Sequence, residues 1–389
     1  MASIVAYVKP ELLAWARGSA HLEPVAAARK IGVPDDRVDA WESGDARPTV
    51  AQLRKAANVY HRSLAVFYLP EPPQGFETLR DFRRLGPGQS GEWSAALHAE
   101  YRRAHFQRDA LLEIAELDQA TSPQEWRLLS PPATDERLAE EARARLVATA
   151  NVKRPTASSA TYEHLGYWTR ALEDAGVLVM ATQRGQVTVE EMRAFSLYFD
   201  EVPVIMLNGA DSPRGRLFSL LHEYVHLLLH TEGLCDMTTD QRAVSNNRRL
   251  EARCNAVAAE VLMPRAAVLG LRTVQDHDST ESWGLDDLIE AAKPFGVSAE
   301  AFLRRLVTLG RASLAEYRTF RESQARATVT TKKPSGGNPY YTKARDLGKG
   351  YVRTIAGAHR RSVIDSSTAA EYLDTKVGHI ARLAEVAGA

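Results

Sequence analysis

Leu217 to His230, LFSLLHEYVHLLLH, is the stretch that most restricts what this chain can become. It contains His222-Glu223-Tyr224-Val225-His226, an HExxH pattern. On a helix, positions i and i+4 share a face one turn apart, which suits two imidazoles meeting one Zn²⁺. Glu223 then falls beside that face, where a water on the metal would sit. At 100° per residue, Leu217, Leu220, Leu221, Tyr224 and Leu228 gather on the side expected to bury. His222 and His226 lie opposite, expected to face outward together into a cleft. Asp211-Ser212-Pro213 supplies a capping residue and a first-turn proline, and Gly233 a stop.

A hydrolytic zinc site takes three protein ligands and keeps one position open. The segment Arg249 to Met263, RLEARCNAVAAEVLM, reads as a helix with Leu250, Cys254, Val257, Ala258, Val261 and Leu262 on its buried side. Its two carboxylates, Glu251 and Glu260, fall on opposite faces. Glu251 borders the buried side and is the better third ligand; Glu260 points away and reads as a solvated charge. His230 stands about 12 Å along the axis from His222 at 1.5 Å per residue, too far to share the metal. Cys254 could in principle offer a thiolate, but a small buried core position is its simpler role. Cys235 and Asp236 are weaker alternatives.

Residues 9 to 73 read as several short helices. PVAAARKI (Pro24 to Ile31) ends at Gly32, and PDDRVDAWE (Pro34 to Glu42) ends at Gly44. Ala27, Ala28, Gly32, Val33, Val38 and Trp41 occupy packing positions, a helix-turn-helix pattern. The run AAARKIGVPDDRVDAWESGDARPTVAQLRKAANVY resembles the XRE-type (Cro/repressor-like) helix-turn-helix, including its W-E-x-G and P-T turn. That resemblance implies operator binding through the second helix of the pair. The second helix departs from it chemically, with Asp35, Asp36, Asp39 and Glu42 against Arg37 alone. Phosphate neutralisation supplies much of the affinity for DNA, so these acids oppose it. Residues 1–75 hold nine Lys/Arg and eight Asp/Glu, a net of +1, not a strongly basic footprint. Arg29, Lys30, Arg37, Arg47 and Lys55 are the candidate DNA contacts, with Arg54 beside them; the alternative is a helical module used for docking onto another protein.

HEYVH together with EARCNAVAAEVLMP (Glu251 to Pro264) resembles the ImmA/IrrE metallopeptidase family. Its second motif runs Glu, two variable residues, a small residue, Asn, then an Ala-rich run to Leu-Met-Pro, here Glu251, Asn255 and Ala258 to Pro264. The family usually has Ala-Asn and an aromatic where this chain has Cys254-Asn255 and Val257. The resemblance implies Zn²⁺ held by His222, His226 and Glu251, with Glu223 as the catalytic residue. It also implies a zincin-like fold, a fusion to an N-terminal XRE-type domain, and a partner repressor as protein substrate, cleaved to release stress, phage-like or mobile-element genes.

Between these motifs, TYEHLGYWTRALEDA (161 to 175) reads as a helix. VLVMA (Val177 to Ala181), Phe195 to Phe199 and PVIML (Pro203 to Leu207) read as short strands. Tyr198 to Asn208 is the expected edge for pairing with an extended substrate; the other reading has a further segment covering it. Tyr198 and His230 are candidates for stabilising the oxyanion. The D-F-R in Leu79 to Gln89 resembles a segment that follows the helix-turn-helix in related fusions. Residues 285–309 echo the N-terminal turn, and a helical hairpin packed on the peptidase domain is favoured there over a second DNA-contacting unit. Residues 331–389 hold ten Lys/Arg and five Asp/Glu. Lys343, Arg345, Lys349, Arg353, Arg360 and Arg361 make either a basic face or the charged exterior of a helical cap.

The fold class expected is therefore α+β and mainly helical. Residues 1–73 form the helix-turn-helix bundle, and 74–160 a linker and helical segment. Residues 161–325 form the zincin-like domain with a small sheet and the following helix-turn-helix-like segment, and 326–389 a linker and basic helical C-terminal region. The formal net charge is zero, so no overall field recruits nucleic acid or membrane. Two cysteines make no disulfide framework, and with neither a signal peptide nor an apolar run of membrane-spanning length the cytoplasm is expected. The alternative function is a DNA-binding regulator or the antitoxin-like half of a toxin–antitoxin pair, with operator DNA and a toxin as partners and a structural or latent metal site.

Overall fold

The computed structural model describes residues 5–71, 94–118, 134–229, 233–235, 246–277, 282–327 and 338–389, apart from positions 21, 61, 63 and 184. Helices predominate and one small sheet is present, the α+β class expected. The chain divides into two compact units, residues 1–110 and 111–389. Leu79 to Gln89, His230, Asp236 and residues 328–337 lie outside the described residues.

In the first unit, α1 (Pro10–Ser19), α2 (Pro24–Ile31), α3 (Arg37–Glu42) and α4 (Val50–Tyr60) enclose a core containing Leu13, Ala27, Ala28, Ile31, Val38, Trp41, Leu53 and Tyr60. Alanines at 27 and 28 keep the inner face of α2 thin enough to lie against α4. Gly32 ends α2 with φ +80°, a left-handed conformation that glycine adopts without steric cost. Arg17 holds Glu42 through two parallel bonds, Nε to Oε1 and Nη2 to Oε2, each 2.7 Å, tying α1 to α3. Helix α5 (Ala95–Leu117) follows in the chain.

The second unit begins with α6 (Asp135–Thr149) and α7 (Thr161–Asp174). The strands β1 (Leu178–Ala181), β2 (Ala194–Leu197) and β3 (Val204–Leu207) come next, then α8 (Pro213–Leu228), β4 (Gly233–Cys235) and α9 (Asn246–Leu262). Two short helices follow, α10 (Arg265–Leu269) and α11 (Arg272–Gln275), then α12 (Leu285–Ala292), α13 (Ala299–Thr308) and α14 (Leu314–Ala327). The C-terminal region is helical, with α15 (Pro339–Leu347), α16 (Lys349–Arg360), α17 (Ser366–Tyr372) and α18 (Ile380–Ala387).

The sheet order is β1-β3-β2-β4, with β1 parallel to β3 and β2 antiparallel to both β3 and β4. This corrects the expected edge. Within Tyr198 to Asn208 the strand is β3, and it lies inside the sheet, paired on both sides. Every residue of β1, β2 and β3 is buried, so their backbone groups must find partners within the protein. The outer strands are β1 and β4, and β4 takes the place beside β2.

The C-terminal helices close the other side, where α15 and α16 pack on β1. Gly348, between them, has φ +89°, and an added Cβ would lie 2.2 Å from the Val179 carbonyl oxygen. Arg353 donates to Glu173 at 2.6 Å and to the Ala387 carbonyl at 3.0 Å, while Arg361 bonds Asp118 and Lys343 bonds Asp374. These basic residues are thus engaged as the exterior of a helical cap. The segment 285–309 is likewise packed inward. Leu288, Ala291, Phe295 and Phe302 join the core that α8 and α9 share, and a Cβ on Gly296 would meet the His164 ring at 2.4 Å. Glu260 is no solvated charge either. It bonds Arg305 of α13 and accepts from the Arg265 backbone N–H at 2.7 Å.

Candidate metal centre

The chain enters α8 under tight local control. Asn208 donates its amide to the carbonyls of Val187, Thr188 and Met192, at 3.2, 3.0 and 2.7 Å, and accepts from the Ala210 N–H at 2.8 Å. That one side chain pins the 187–192 loop to the approach. Ser212 caps the helix by accepting from Gly215 N–H at 3.0 Å, and Pro213 opens the first turn. The helix stops at Leu228, earlier than Gly233, which instead begins β4.

The apolar stripe is buried as expected, but so is the opposite face. His222 and Glu223 are 0% exposed and His226 is 2% exposed. The histidines do not face outward; they turn toward α9, which lies against α8. Glu251, on α9, is the member of the cluster nearest solvent, with its side chain 30% exposed.

The three donor groups converge. His222 Nε2 and His226 Nε2 are 3.0 Å apart; Glu251 Oε2 is 3.2 Å from the first and Oε1 is 3.3 Å from the second. Donors bound tetrahedrally to Zn²⁺ at about 2.0–2.1 Å stand about 3.3 Å from one another. The spacing therefore fits one small cation with a position to spare, and these residues could hold it. Glu251 is the carboxylate brought in, while Glu260 is committed to Arg305.

Charges within the cluster are strongly coupled. Burial disfavours charge on Glu251, yet hydrogen bonds from His222 and His226 hold its pKa down at about 2. Burial also opposes charge on His226, but the Cys254 thiol and Glu251, both hydrogen-bonded to it, push its pKa up to about 11. Cys254 is buried as expected and interacts with His226, outside the group of three converging donors. His222 Nδ1 is buried with no partner among the described residues. Burial raises the pKa of Glu223, the direction that suits a proton acceptor working near neutral pH.

One contact was invisible in the sequence. Ser196, on β2 and fully buried, donates its hydroxyl to Glu223 Oε2 at 2.6 Å, while Oε1 has no partner among the described residues. Ser196 stands between Phe195 and Leu197 in the sequence, but nothing local says which carboxylate it would meet. Tyr198 is not brought to the cluster; its hydroxyl donates to Asp200 at 2.9 Å.

In the N-terminal unit Arg29, Lys30, Arg37, Arg47 and Lys55 are all exposed. Arg29 pairs with Asp35 at 3.0 Å and Arg47 lies over the Tyr7 ring at 4.8 Å, which leaves Lys30, Arg37 and Lys55 least engaged of the five. Glu42, one of the acids counted against DNA binding, is turned inward onto Arg17.

Residues 172–307 match the model of a peptidase family, described as an IrrE N-terminal-like domain. The match spans all of α8 and α9, so it contains the three converging donors and Glu223, and it supports the resemblance over that stretch. The α1–α4 bundle lies outside it. Among curated proteins no match was found. Among the described residues no helix is long and apolar enough to cross a membrane.

Proposed function

We propose that the chain is a zinc-dependent endopeptidase in which His222, His226 and Glu251 hold the ion and Glu223 handles the proton. The observation that carries this is the tetrahedral spacing of three donors beside a buried carboxylate anchored at one oxygen only. An ion held by these residues would act as a Lewis acid, lowering the pKa of water to about 7 and polarising a scissile carbonyl. Ser196 fixes Oε2 of Glu223, and Oε1 is left to take a proton from the attacking water and return it to the departing amine. The raised pKa of Glu223 makes it the better acceptor for the first transfer.

The substrate proposed is a partner protein, a helix-turn-helix repressor, as the resemblance implies. The α1–α4 bundle serves to reach it, either by docking onto the repressor or by binding operator DNA through Lys30, Arg37 and Lys55. The alternative, a DNA-binding regulator or antitoxin-like protein with a latent metal site, gains little from the Arg29–Asp35 pair, since a paired arginine releases fewer counterions on binding. A toxin partner belongs to that alternative.

The test compares wild type with Glu223→Gln for zinc content and for cleavage of a repressor encoded beside the gene. We expect both to hold about one zinc and cleavage to drop ~10²–10⁴-fold in the variant. Zinc-free wild type would remove the site; equal cleavage would remove the role of Glu223. Salt-sensitive promoter binding that survives neutralisation of Lys30 and Arg37 would exclude them as DNA contacts.

A further inference from the structure

Arg216 is the fourth residue of α8 and is 4% exposed, yet its buried Nε has no hydrogen-bond partner among the described residues. Burial makes charge there costly and Arg345 adds repulsion, so its pKa is lowered; the opposing influences of Tyr162, Asp211 and Asp346 are smaller. A buried guanidinium without an acceptor is expensive, and native proteins supply such groups with a partner.

The neighbours that could have satisfied Arg216 are committed elsewhere. Asp211 accepts from Arg193 at 3.2 Å and from the Ser212 N–H at 2.7 Å. Asp346 accepts from Arg345 Nε at 2.7 Å. Arg345 itself reaches the approach to α8, where an added Cβ on Gly209 would meet its Nη2 at 3.3 Å. Arg193 and Arg345 thus pair with Asp211 and Asp346, which leaves Arg216 as a third positive group beside two negative ones, its Nε without an acceptor.

We propose that Arg216 and Arg345 form a binding site for a small oxyanion of the phosphate class, between α8 and α15. A tetrahedral oxyanion has enough acceptor oxygens to engage two planar guanidiniums at once, a match a single carboxylate makes less well. Such an anion would join the C-terminal helices to the helix that carries His222, a residue about 9 Å along the axis from Arg216 at 1.5 Å per residue. The site does not depend on the peptidase assignment.

Inorganic phosphate is the probe, added to the full chain and followed by calorimetry and by thermal melting against sodium chloride of equal ionic strength. We expect saturable binding and a Tm rise of ~3 °C that chloride does not reproduce. Arg345→Gln, at a side chain 27% exposed, should weaken phosphate at least 10-fold. Arg216→Gln should do the same. Glycerol phosphate and acetate separate the sources: equal binding of phosphate and its monoester means only the phosphoryl group is read, and tighter monoester binding means an esterified effector is the ligand. No saturable phosphate binding to wild type overturns the proposal. So does unchanged affinity in Arg345→Gln, or acetate binding as tightly as phosphate.

Discussion

Ser196 Oγ lies 2.6 Å from Glu223 Oε2, a buried hydrogen bond between the middle of the sheet and the helix of the HExxH pattern. It holds one carboxylate oxygen and leaves the other for chemistry. Hydrogen bonds to charged groups contribute about 1.5–3 kcal/mol, so Ser196→Ala should lower turnover roughly 10–100-fold. Zinc content should not change, because Ser196 touches none of the three donors. Loss of zinc in this variant would show a purely structural role.

Zinc uptake should expel a proton. His226 is held protonated at neutral pH by Cys254 and Glu251, with a pKa pushed up to about 11, whereas a metal ligand must be neutral. Titration at pH 7 in two buffers of different ionisation enthalpy should give about one proton released per zinc. Because the pKa is raised, affinity should climb with pH through the neutral range. Heat independent of buffer would contradict the assignment.

The pair Glu173–Arg353 anchors the C-terminal helices to α7, at 2.6 Å, with Glu173 also accepting the Gly350 N–H at 2.8 Å. Removing one partner of a buried pair costs about 3–5 kcal/mol, and Arg353→Ala should lose stability on that scale. Burial already raises the Glu173 pKa, and loss of Arg353 raises it further. The folded state then binds a proton more tightly than the unfolded chain, so the variant should regain stability relative to wild type as pH falls. Urea melts at pH 7 and pH 5 check this; a deficit that widens at pH 5 would reverse the sign.

At Gly348 the constraint is steric. Its φ of +89° and the 2.2 Å approach of an added Cβ to the Val179 carbonyl mean Gly348→Ala must move backbone against backbone. A loss of at least 1–3 kcal/mol is expected, about 2–4 °C in Tm per kcal/mol for a unit this size. Gly378→Ala, where nothing lies within 4 Å, should melt like wild type. Equal Tm values for the two variants would show that the tail does not press on the sheet.

The converging donors were legible in the sequence because each signal is local. HExxH is a single-helix pattern, and Glu251 stood out by its place on the amphipathic face of α9. The misreadings share one cause, a partner distant in the chain. Glu260 looked solvated because Arg305 follows 45 residues later, and the choice between a basic face and a helical cap stayed open for Arg353 because Glu173 precedes it by 180. β3 looked like an edge because chain order does not reveal that β1 and β2 pair on either side of it. The histidine face looked exposed because helical periodicity cannot tell a solvent-facing side from one covered by α9.

The donors sit on two helices, with His226 and Glu251 separated by 251 − 226 = 25 positions. An ion held between them would act as a cross-link across that loop. By chain-entropy reasoning, closing a loop of this length removes about 3.5 kcal/mol of freedom from the unfolded ensemble. Metal availability would then set how long the protein persists: a cell short of the ion would carry fewer folded copies, each with a shorter life.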